Sequence, residues 1–349
     1  MTRTLGIGLA GLGRMGRIHA TNLTSRCGAA RLAAVYDANA DVARALAEEL
    51  EVPWAASYAE LLERADAVAI ATPTGTHAEL TAAAAEAGRH VFCEKPISLD
   101  RPTTVETIEA VQRAGVVFQV GFHRRFDPDW VAAAARIHAG ELGEVTLFRT
   151  SLRDMTPPPP EFLAGSGGFF VDVTVHDLDV ARWLVGEVVE VTAHGTASDP
   201  AFAAIGDIDT AVVVLRFENG ALGVIDNSRS ARYGYECSSE VMGSAAIARI
   251  DAPRRHGYEW RTPGLASHEL PRDFEERYPW AYAEELDAFA RCVRDGAPPR
   301  VSGVDALAAF DLAQAADRSW RTGRPVALTP QRTETGVRYE TTEKDEVRV

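Results

Sequence analysis

Cysteine is scarce. Cys27, Cys93, Cys237 and Cys292 are the only four in 349 residues, and no two of them form a C-x-x-C pair. A disulfide framework or thiolate zinc site finds no support in that spacing, no metal is expected, and a reducing cytoplasm fits. Positive charge is also short: 36 Lys and Arg against 50 Asp and Glu leave a formal charge of −14. Such a surface repels phosphate backbones and anionic lipid, so neither a nucleic-acid nor a membrane partner is expected. No basic cluster is interleaved with aromatic residues, and no apolar run approaches the ~20 residues of a membrane span. The opening "MTRTLGIGLAGLG" is apolar only briefly before its glycines and is not read as a signal peptide. No internal repeat is visible.

What is present reads as a packed globular chain too long for one ordinary core, with two domains expected. In the first third, "LGIGLAGLG", "LAAVYD", "AVAIATP", "HVFCEKP" and "VVFQVGF" are strand-like. They alternate with the helical stretches "MGRIHATNL", "DVARALAEEL", "AELTAAAAEAG" and "TTVETIEAVQRAG". That alternation predicts a parallel sheet with helices on both faces. Beyond Phe122 the strands lengthen and alternate in polarity: "GEVTLFRTSLRD", "EVVEVTAHG", "DTAVVVLRFENGALGVIDNSRS" and "SSEVMGSAAIARID". The Asn-Gly pair in "FENGALGVI" marks a hairpin. Helices are expected from "GFFVDVTVHDLDVARWLVG" and "WAYAEELDAFARCVRDG", and the prolines of "MTPPPPEF" impose an extended segment.

"GLAGLGRMGRIHA" places Gly11, Gly13 and Gly16 in the spacing G-x-G-x-x-G, with Arg14 and Met15 inside the turn. The pattern alone is weak, but here it leaves the first strand and opens the first helix, the context a dinucleotide requires. Gly11 allows the tight turn, Gly13 the approach of a pyrophosphate, and Gly16 close packing of helix on strand. Asp37 closes the second strand 21 positions beyond Gly16. A carboxylate there accepts from the adenosine ribose and repels a 2′-phosphate, so NAD is favoured over NADP. A helix N-cap is the structural alternative for Asp37.

The organisation that follows is α/β plus α+β. Residues 1–122 form a Rossmann-type doubly wound parallel sheet that binds the dinucleotide. Residues 123–330 are expected to form a C-terminal α/β domain on a mostly antiparallel open sheet. Residues 331–349 form a polar, loosely held tail.

In "VFCEKPISLD", Glu94 and Lys95 end a strand and Pro96 follows. The pair is either an exposed ion pair worth about 0–1 kcal/mol or a lysine held beside a cofactor. Taken together, "GLGRMG", "ATPTGTH", "CEKPI" and "GFHRRFDP" resemble the Gfo/Idh/MocA oxidoreductase family. The likeness continues through "GGFFVDVTVHDLDVARWLVGE", "YGYECSSEVMGSAA" and "WAYAEELDAFARCVRDGAPPRVSGVDALAAFDLA", nearly the whole chain. The resemblance implies that Lys95 lies near the nicotinamide and the reacting hydroxyl, that Glu94 bonds the nicotinamide ribose or orients Lys95, and that Pro96 fixes the turn. It places Thr72, Pro73, Thr74 and His77 in the loop bordering the cofactor, and it matches Asp172 and His176 to the family's catalytic pair.

The chemistry wants these residue types independently. Oxidising a secondary alcohol removes a hydride from carbon and a proton from oxygen, so a base must touch the hydroxyl, and histidine titrates where that is useful. On a helix Asp172 and His176, at i and i+4, share one face with Cβ atoms about 5–6 Å apart. Lys95, from the other domain, would complete the set across a cleft. His176 is then the proton acceptor with Lys95 and Asp172 polarising the hydroxyl, or Lys95 is the base, its pKa lowered by the nicotinamide and raised by Asp172. As bland alternatives, His176 is a satisfied buried histidine and Asp172 a helix cap.

The resemblance is strongest to the branch that oxidises inositol. It implies NAD-dependent conversion of a cyclitol hydroxyl to a ketone, with myo-inositol foremost. Arg124, Arg125, Asp154, Tyr233, Tyr235 and Tyr282 are then the candidates, with Lys95, Asp172 and His176, for bonding a polyol. Tyrosines with a wet tip also serve cores, and Arg124 or Arg125 could pair with Asp127 or Asp129. Met155 and Thr156 stand where the inositol branch shows a shorter R-D-P-type run, and His123 is a polar choice nearby. These departures keep open an aldose or glycoside as substrate. NAD-assisted glycoside cleavage and a non-enzymatic nucleotide sensor complete the alternatives. If "DTAVVVLRF" and "GALGVID" bare an apolar face, that face needs a partner copy, and a homo-oligomer is expected, a tetramer ahead of a dimer.

Overall fold

The apolar runs of the first third become five parallel strands, each returned to its sheet by helix. The computed structural model describes residues 4–251 and 254–342. In chain order they give β1 (Leu5–Ala10), α1 (Arg14–Ser25), β2 (Ala30–Tyr36), α2 (Ala40–Leu50), α3 (Tyr58–Arg64), β3 (Ala67–Ile70), α4 (His77–Glu86), β4 (His90–Glu94), α5 (Arg101–Ala114) and β5 (Phe118–Gly121). The sheet order is β2-β1-β3-β4-β5, and every pairing is parallel. The order reverses at β1, so the carboxyl ends of β1 and β3 frame the crevice where such sheets bind ligands. Local chemistry sets the helix starts. The side chains of Asn39, Ser57 and Asp100 accept from the backbone N–H groups of Asp41, Glu60 and Thr103, each satisfying a donor that a helix leaves orphaned.

The following segment supplies α6 (Pro128–His138), β6 (Val145–Arg153), α7 (Pro160–Gly165), a π-helical turn at Phe170–Thr174, α8 (Val175–Val185), β7 (Val188–Thr196), α9 (Pro200–Ala204), β8 (Thr210–Phe217), β9 (Leu222–Ser228), β10 (Glu236–Gly243) and β11 (Ile247–Ile250). A small hairpin, β12 (Trp260–Thr262) with β13 (Leu265–Ser267), and α10 (Phe274–Arg277) lead to α11 (Pro279–Asp295), α12 (Gly303–Thr322), β14 (Val326–Thr333) and β15 (Gly336–Thr342). The second sheet runs β11-β10-β6-β9-β8-β7-β14-β15. Its pairings are antiparallel except β6 with β9. The hairpin expected at Asn219-Gly220 joins β8 to β9, with Gly220 at φ +88° and Phe217 donating to Ala221 O at 2.9 Å.

The chain divides into two units, and the division is not contiguous. One runs to Asp127 and takes back Pro279–Leu307; the other is Pro128–Tyr278 and the chain from Ala308 onward. Residues 279–307, read in the sequence with the second domain, therefore pack with the first. The reason is a face of α11. Leu286, Phe289 and Ala290 join Ile7, Leu9, Leu23 and Phe92 in one buried cluster. The Asp287 carboxylate accepts the N–H groups of Gly28, Ala29 and Ala30 at 2.8, 2.9 and 3.1 Å, tying the helix to the start of β2.

The polar tail expected from residue 331 needs correction. β15 pairs with β14 along its length, from Ala327↔Thr342 to Thr333↔Gly336. Tyr339 is buried beneath the Arg182 guanidinium, and its hydroxyl accepts from Val188 N–H at 3.1 Å. Backbone pairing and one buried ring, not an apolar periodicity, hold this strand. Residues 343–349 of that expected tail lie outside the described residues.

Candidate active site

The glycine turn is built as a nucleotide loop demands. Gly11 has φ +87°, and a Cβ there would lie 2.5 Å from Thr72 N and 2.7 Å from Ala71 O. Only glycine lets the β1 exit touch the β3 exit. A Cβ on Gly16 would fall 2.0 Å from Gly11 O, so the helix is seated on its own turn. At Gly13, by contrast, no described residue lies within 4 Å of such an atom, and the residue is exposed. That is the open approach a pyrophosphate needs at the head of α1. Arg14 and Met15 follow in the first helical turn, which contains no acidic side chain. Asp37 is half-buried at the end of β2; Oδ2 accepts Leu12 N–H at 2.9 Å and Oδ1 accepts Asn39 N–H at 2.9 Å. The carboxylate is thereby fixed beside the loop, with lone pairs remaining for a ribose. These residues fit a dinucleotide.

Thr72 lies against the glycine turn and Pro73 and Thr74 follow it, with Thr76 Oγ1 donating to Thr72 Oγ1 at 2.7 Å. His77 lies behind them, 2% exposed, and both of its ring nitrogens meet carbonyl oxygens: Nδ1 that of Pro96 and Nε2 that of Thr72, each at 2.8 Å. Two acceptors ask for two N–H donors, which only the imidazolium provides. Burial works against that charge, but the Cys93 sulfur and the two carbonyls outweigh it and push the ring up to about 9. His77 therefore ties the loop after β3 to the loop after β4. In the latter, Glu94 is buried, Lys95 is half-buried, and the Lys95–Pro96 bond is cis. Glu94 Oε1 lies 2.7 Å from His19 Nε2, and Glu94 Oε2 accepts Lys95 N–H at 3.3 Å.

Arg124 and Arg125 are buried in the short turn His123–Phe126 after β5. Arg125 is 3.5 Å from Asp305, and its carbonyl accepts from Arg300 at 3.0 Å. Tyr282 of α11 is buried with its ring stacked on His123, centroids 4.7 Å apart.

In the second unit the π-helical turn carries Asp172, and α8 carries His176; both are half-buried. Arg229, just past β9 and 1% exposed, donates from Nη2 to Asp172 Oδ2 at 2.7 Å, with its guanidinium 5.6 Å from the Phe169 ring centroid. α8 is seated by Asp177, whose carboxylate accepts from Thr150 of β6 at 3.0 Å and Asn227 of β9 at 2.9 Å. Asp154 joins the same end of the sheet: its N–H donates to Ser228 O at 2.8 Å, and its carbonyl accepts Ala231 N–H at 2.9 Å. Tyr235 is buried against Tyr278. Tyr233 is exposed, its hydroxyl donating to Glu236 at 2.7 Å and accepting from Arg153 at 3.1 Å.

Residues 5–122 match the model of the oxidoreductase family with an NAD-binding Rossmann fold, and residues 130–249 match the GFO/IDH/MocA C-terminal domain. The chain belongs to the GFO/IDH/MocA oxidoreductase family. It is 42% identical to myo-inositol 2-dehydrogenase of Thermotoga maritima, over 92% of this chain and 98% of that one. To scyllo-inositol 2-dehydrogenase (NAD(+)) of Bacillus subtilis it is 39% identical, over 94% and 97% of the two chains. Among solved structures, scyllo-inositol dehydrogenase from Lactobacillus casei with bound NAD(H) and scyllo-inositol superposes with a TM-score of 0.86 at 28% identity, over 93% and 99% of the two chains.

Within this GFO/IDH/MocA frame, sequence reasoning named Asp172 but not the arginine that holds it, and Glu94 but not His19. His19 was legible: it lies three residues beyond Gly16, on the helix turn facing the sheet. Arg229, in "DNSRS", carries no local signal. No described helix is long and apolar enough to cross a membrane.

Proposed function

We propose that this chain oxidises a secondary hydroxyl of a cyclitol to a ketone with NAD, myo-inositol to 2-keto-myo-inositol being the first substrate to test. What carries the reading is the ion pair between Asp172 and the buried Arg229, just before His176, in a chain similar over nine-tenths of its length to enzymes named for myo- and scyllo-inositol.

NAD, when bound, supplies the hydride acceptor. Gly11, Gly13, Arg14, Met15 and Gly16 would hold its pyrophosphate, Asp37 its adenosine ribose, and Thr72, Pro73, Thr74 and Glu94 the crevice wall, with His77 fixing that wall from behind. His176 takes the proton from the substrate hydroxyl, and Lys95 polarises that oxygen. In the alternative order Lys95 is the acceptor. Asp172, paired with Arg229, stabilises the positive charge that either base acquires. Arg124, Arg125, Asp154, Tyr233, Tyr235 and Tyr282 are the candidates for the remaining hydroxyls.

Purified protein, NAD and a panel of inositols and aldoses, followed by NADH absorbance, tests the assignment. Turnover of an aldose with no inositol turned over would move the reading to a sugar dehydrogenase, which Met155 and Thr156 after β6 favour. We further propose a cytoplasmic homo-oligomer, a tetramer before a dimer. Val212, Val214 and Leu222 stand exposed on one face of adjacent strands β8 and β9, with Met242 and Ile247 exposed on β10 and β11, and such a face is normally covered.

A further inference from the structure

Three buried side chains from separate elements converge on the end of β4. His19 of α1, Glu94 and Glu285 of α11 bring one ligand-type atom each within 4.8 Å of one another. The set could suggest a cation. Two donors on one zinc, each at about 2.0–2.1 Å, stand roughly 3.3 Å apart in tetrahedral geometry. His19 Nε2 and Glu94 Oε1 are closer, at 2.7 Å, which is a hydrogen bond.

Glu285 is 0% exposed, and among the described residues no hydrogen-bond partner reaches either of its carboxyl oxygens. An ionised carboxylate so placed would be uncompensated, and two carboxylates this close in a buried site do not both ionise. Glu94 has the donors, His19 Nε2 and the Lys95 N–H. We propose that Glu285 is the protonated partner of Glu94, a positioning residue whose neutral form leaves the Glu94 carboxylate unopposed in its seat against His19 and the backbone of Lys95. Complete burial, then the charge of Glu94, hold the Glu285 carboxyl well above the ordinary carboxylate range.

The surrounding groups agree. From β5, Gln119 Nε2 donates to the Glu285 carbonyl at 2.7 Å, not to its side chain. From α11 itself, Tyr282 sets its ring edge-on to His19 at 6.2 Å. From the turn after β5, His123 stacks on Tyr282, and Arg124 and Arg125 are buried in that same turn. β2 presents no ionisable side chain between Leu32 and Val35.

The consequence for catalysis rests on the role proposed for Lys95; the test does not. Infrared spectra of the full protein at neutral pH should show the C=O stretch of a protonated carboxylic acid, lost in Glu285→Gln. NADH affinity, titrated by fluorescence without any cyclitol, should weaken by about tenfold per pH unit once Glu285 ionises, and that loss should be missing from Glu285→Gln, in which only the deprotonation of His77 at about 9 remains. Should that variant not fold, loss of the wild-type band at the midpoint of the affinity loss supports the proposal, and a band persisting through it overturns it. Absence of the band, stoichiometric metal in the purified protein, or identical alkaline limbs in both proteins would also overturn it. An absence of cyclitol turnover would leave all these readouts standing and refute only the substrate assignment.

Discussion

Arg229 Nη2 stands 2.7 Å from Asp172 Oδ2, with the guanidinium only 1% exposed. A buried arginine facing a carboxylate favours its charged form. Removing one partner of a buried ion pair leaves the other charge uncompensated, so Arg229→Gln should lower kcat/KM by about ten- to a hundredfold. Arg229→Lys should restore most of the loss. Unchanged kcat/KM in Arg229→Gln would separate the Asp172 ion pair from the reaction.

His176→Ala should lower kcat by about 10²–10⁴-fold, the usual worth of a general base, while NAD affinity stays nearly unchanged. Stopped-flow turnover beside a fluorescence titration reads the two quantities separately. Near-normal kcat would reassign the proton to Lys95.

Asp37→Ser should relax the preference for NAD over NADP by about ten- to a hundredfold, because the like charge facing the 2′-phosphate disappears. NAD itself should also bind more weakly, since Asp37 accepts Leu12 and Asn39 N–H groups that order the glycine turn. Paired Kd measurements for the two cofactors check both statements.

His77 predicts a pH dependence of stability. Its folded value of about 9 exceeds the ordinary 6.5, so its stabilisation is full below pH 6.5 and is lost as pH rises through about 9. The shift corresponds to at most about 3 kcal/mol for this buried ring. Wild-type Tm should fall across that window more steeply than the Tm of His77→Gln. Parallel curves would remove the imidazolium.

Val212→Glu with Val214→Glu should lower the solution mass measured by light scattering and leave far-ultraviolet dichroism unchanged. Both side chains project from the exposed face of β8, so the change adds charge without disturbing the inner face.

The parallel sheet was readable because each of its strands is an apolar run set off by a helical period and a turn. The open sheet was readable from alternation, as in β8, where every second residue from Ala211 to Phe217 is buried. β15 was not, because its hold on the chain is backbone pairing plus Tyr339, and in "GVRYETT" only Val337 and Tyr339 alternate with polar residues, too few to mark a strand. At the site, spacing alone marked the glycine turn, whereas Lys95, Asp172 and His176 were singled out through the family resemblance and stand as proposals. Partners distant in the chain stayed hidden: Arg229 is 57 positions from Asp172. In "YAEELDAF" one glutamate is entombed and its neighbour Glu284 pairs with Arg291 near the surface. Only the packing of α11 on the sheet decides which.

The wide turn at Phe170–Thr174 also makes chain length itself a constraint. Regular helix advances about 100° per residue, whereas a π turn absorbs one residue more than an α turn. Losing Val173 would let the segment relax into ordinary helix and swing Asp172 around the axis relative to His176, with every functional side chain still present. A deletion there should therefore be far less tolerable than one in the 218–221 loop, although neither removes a chemically active group.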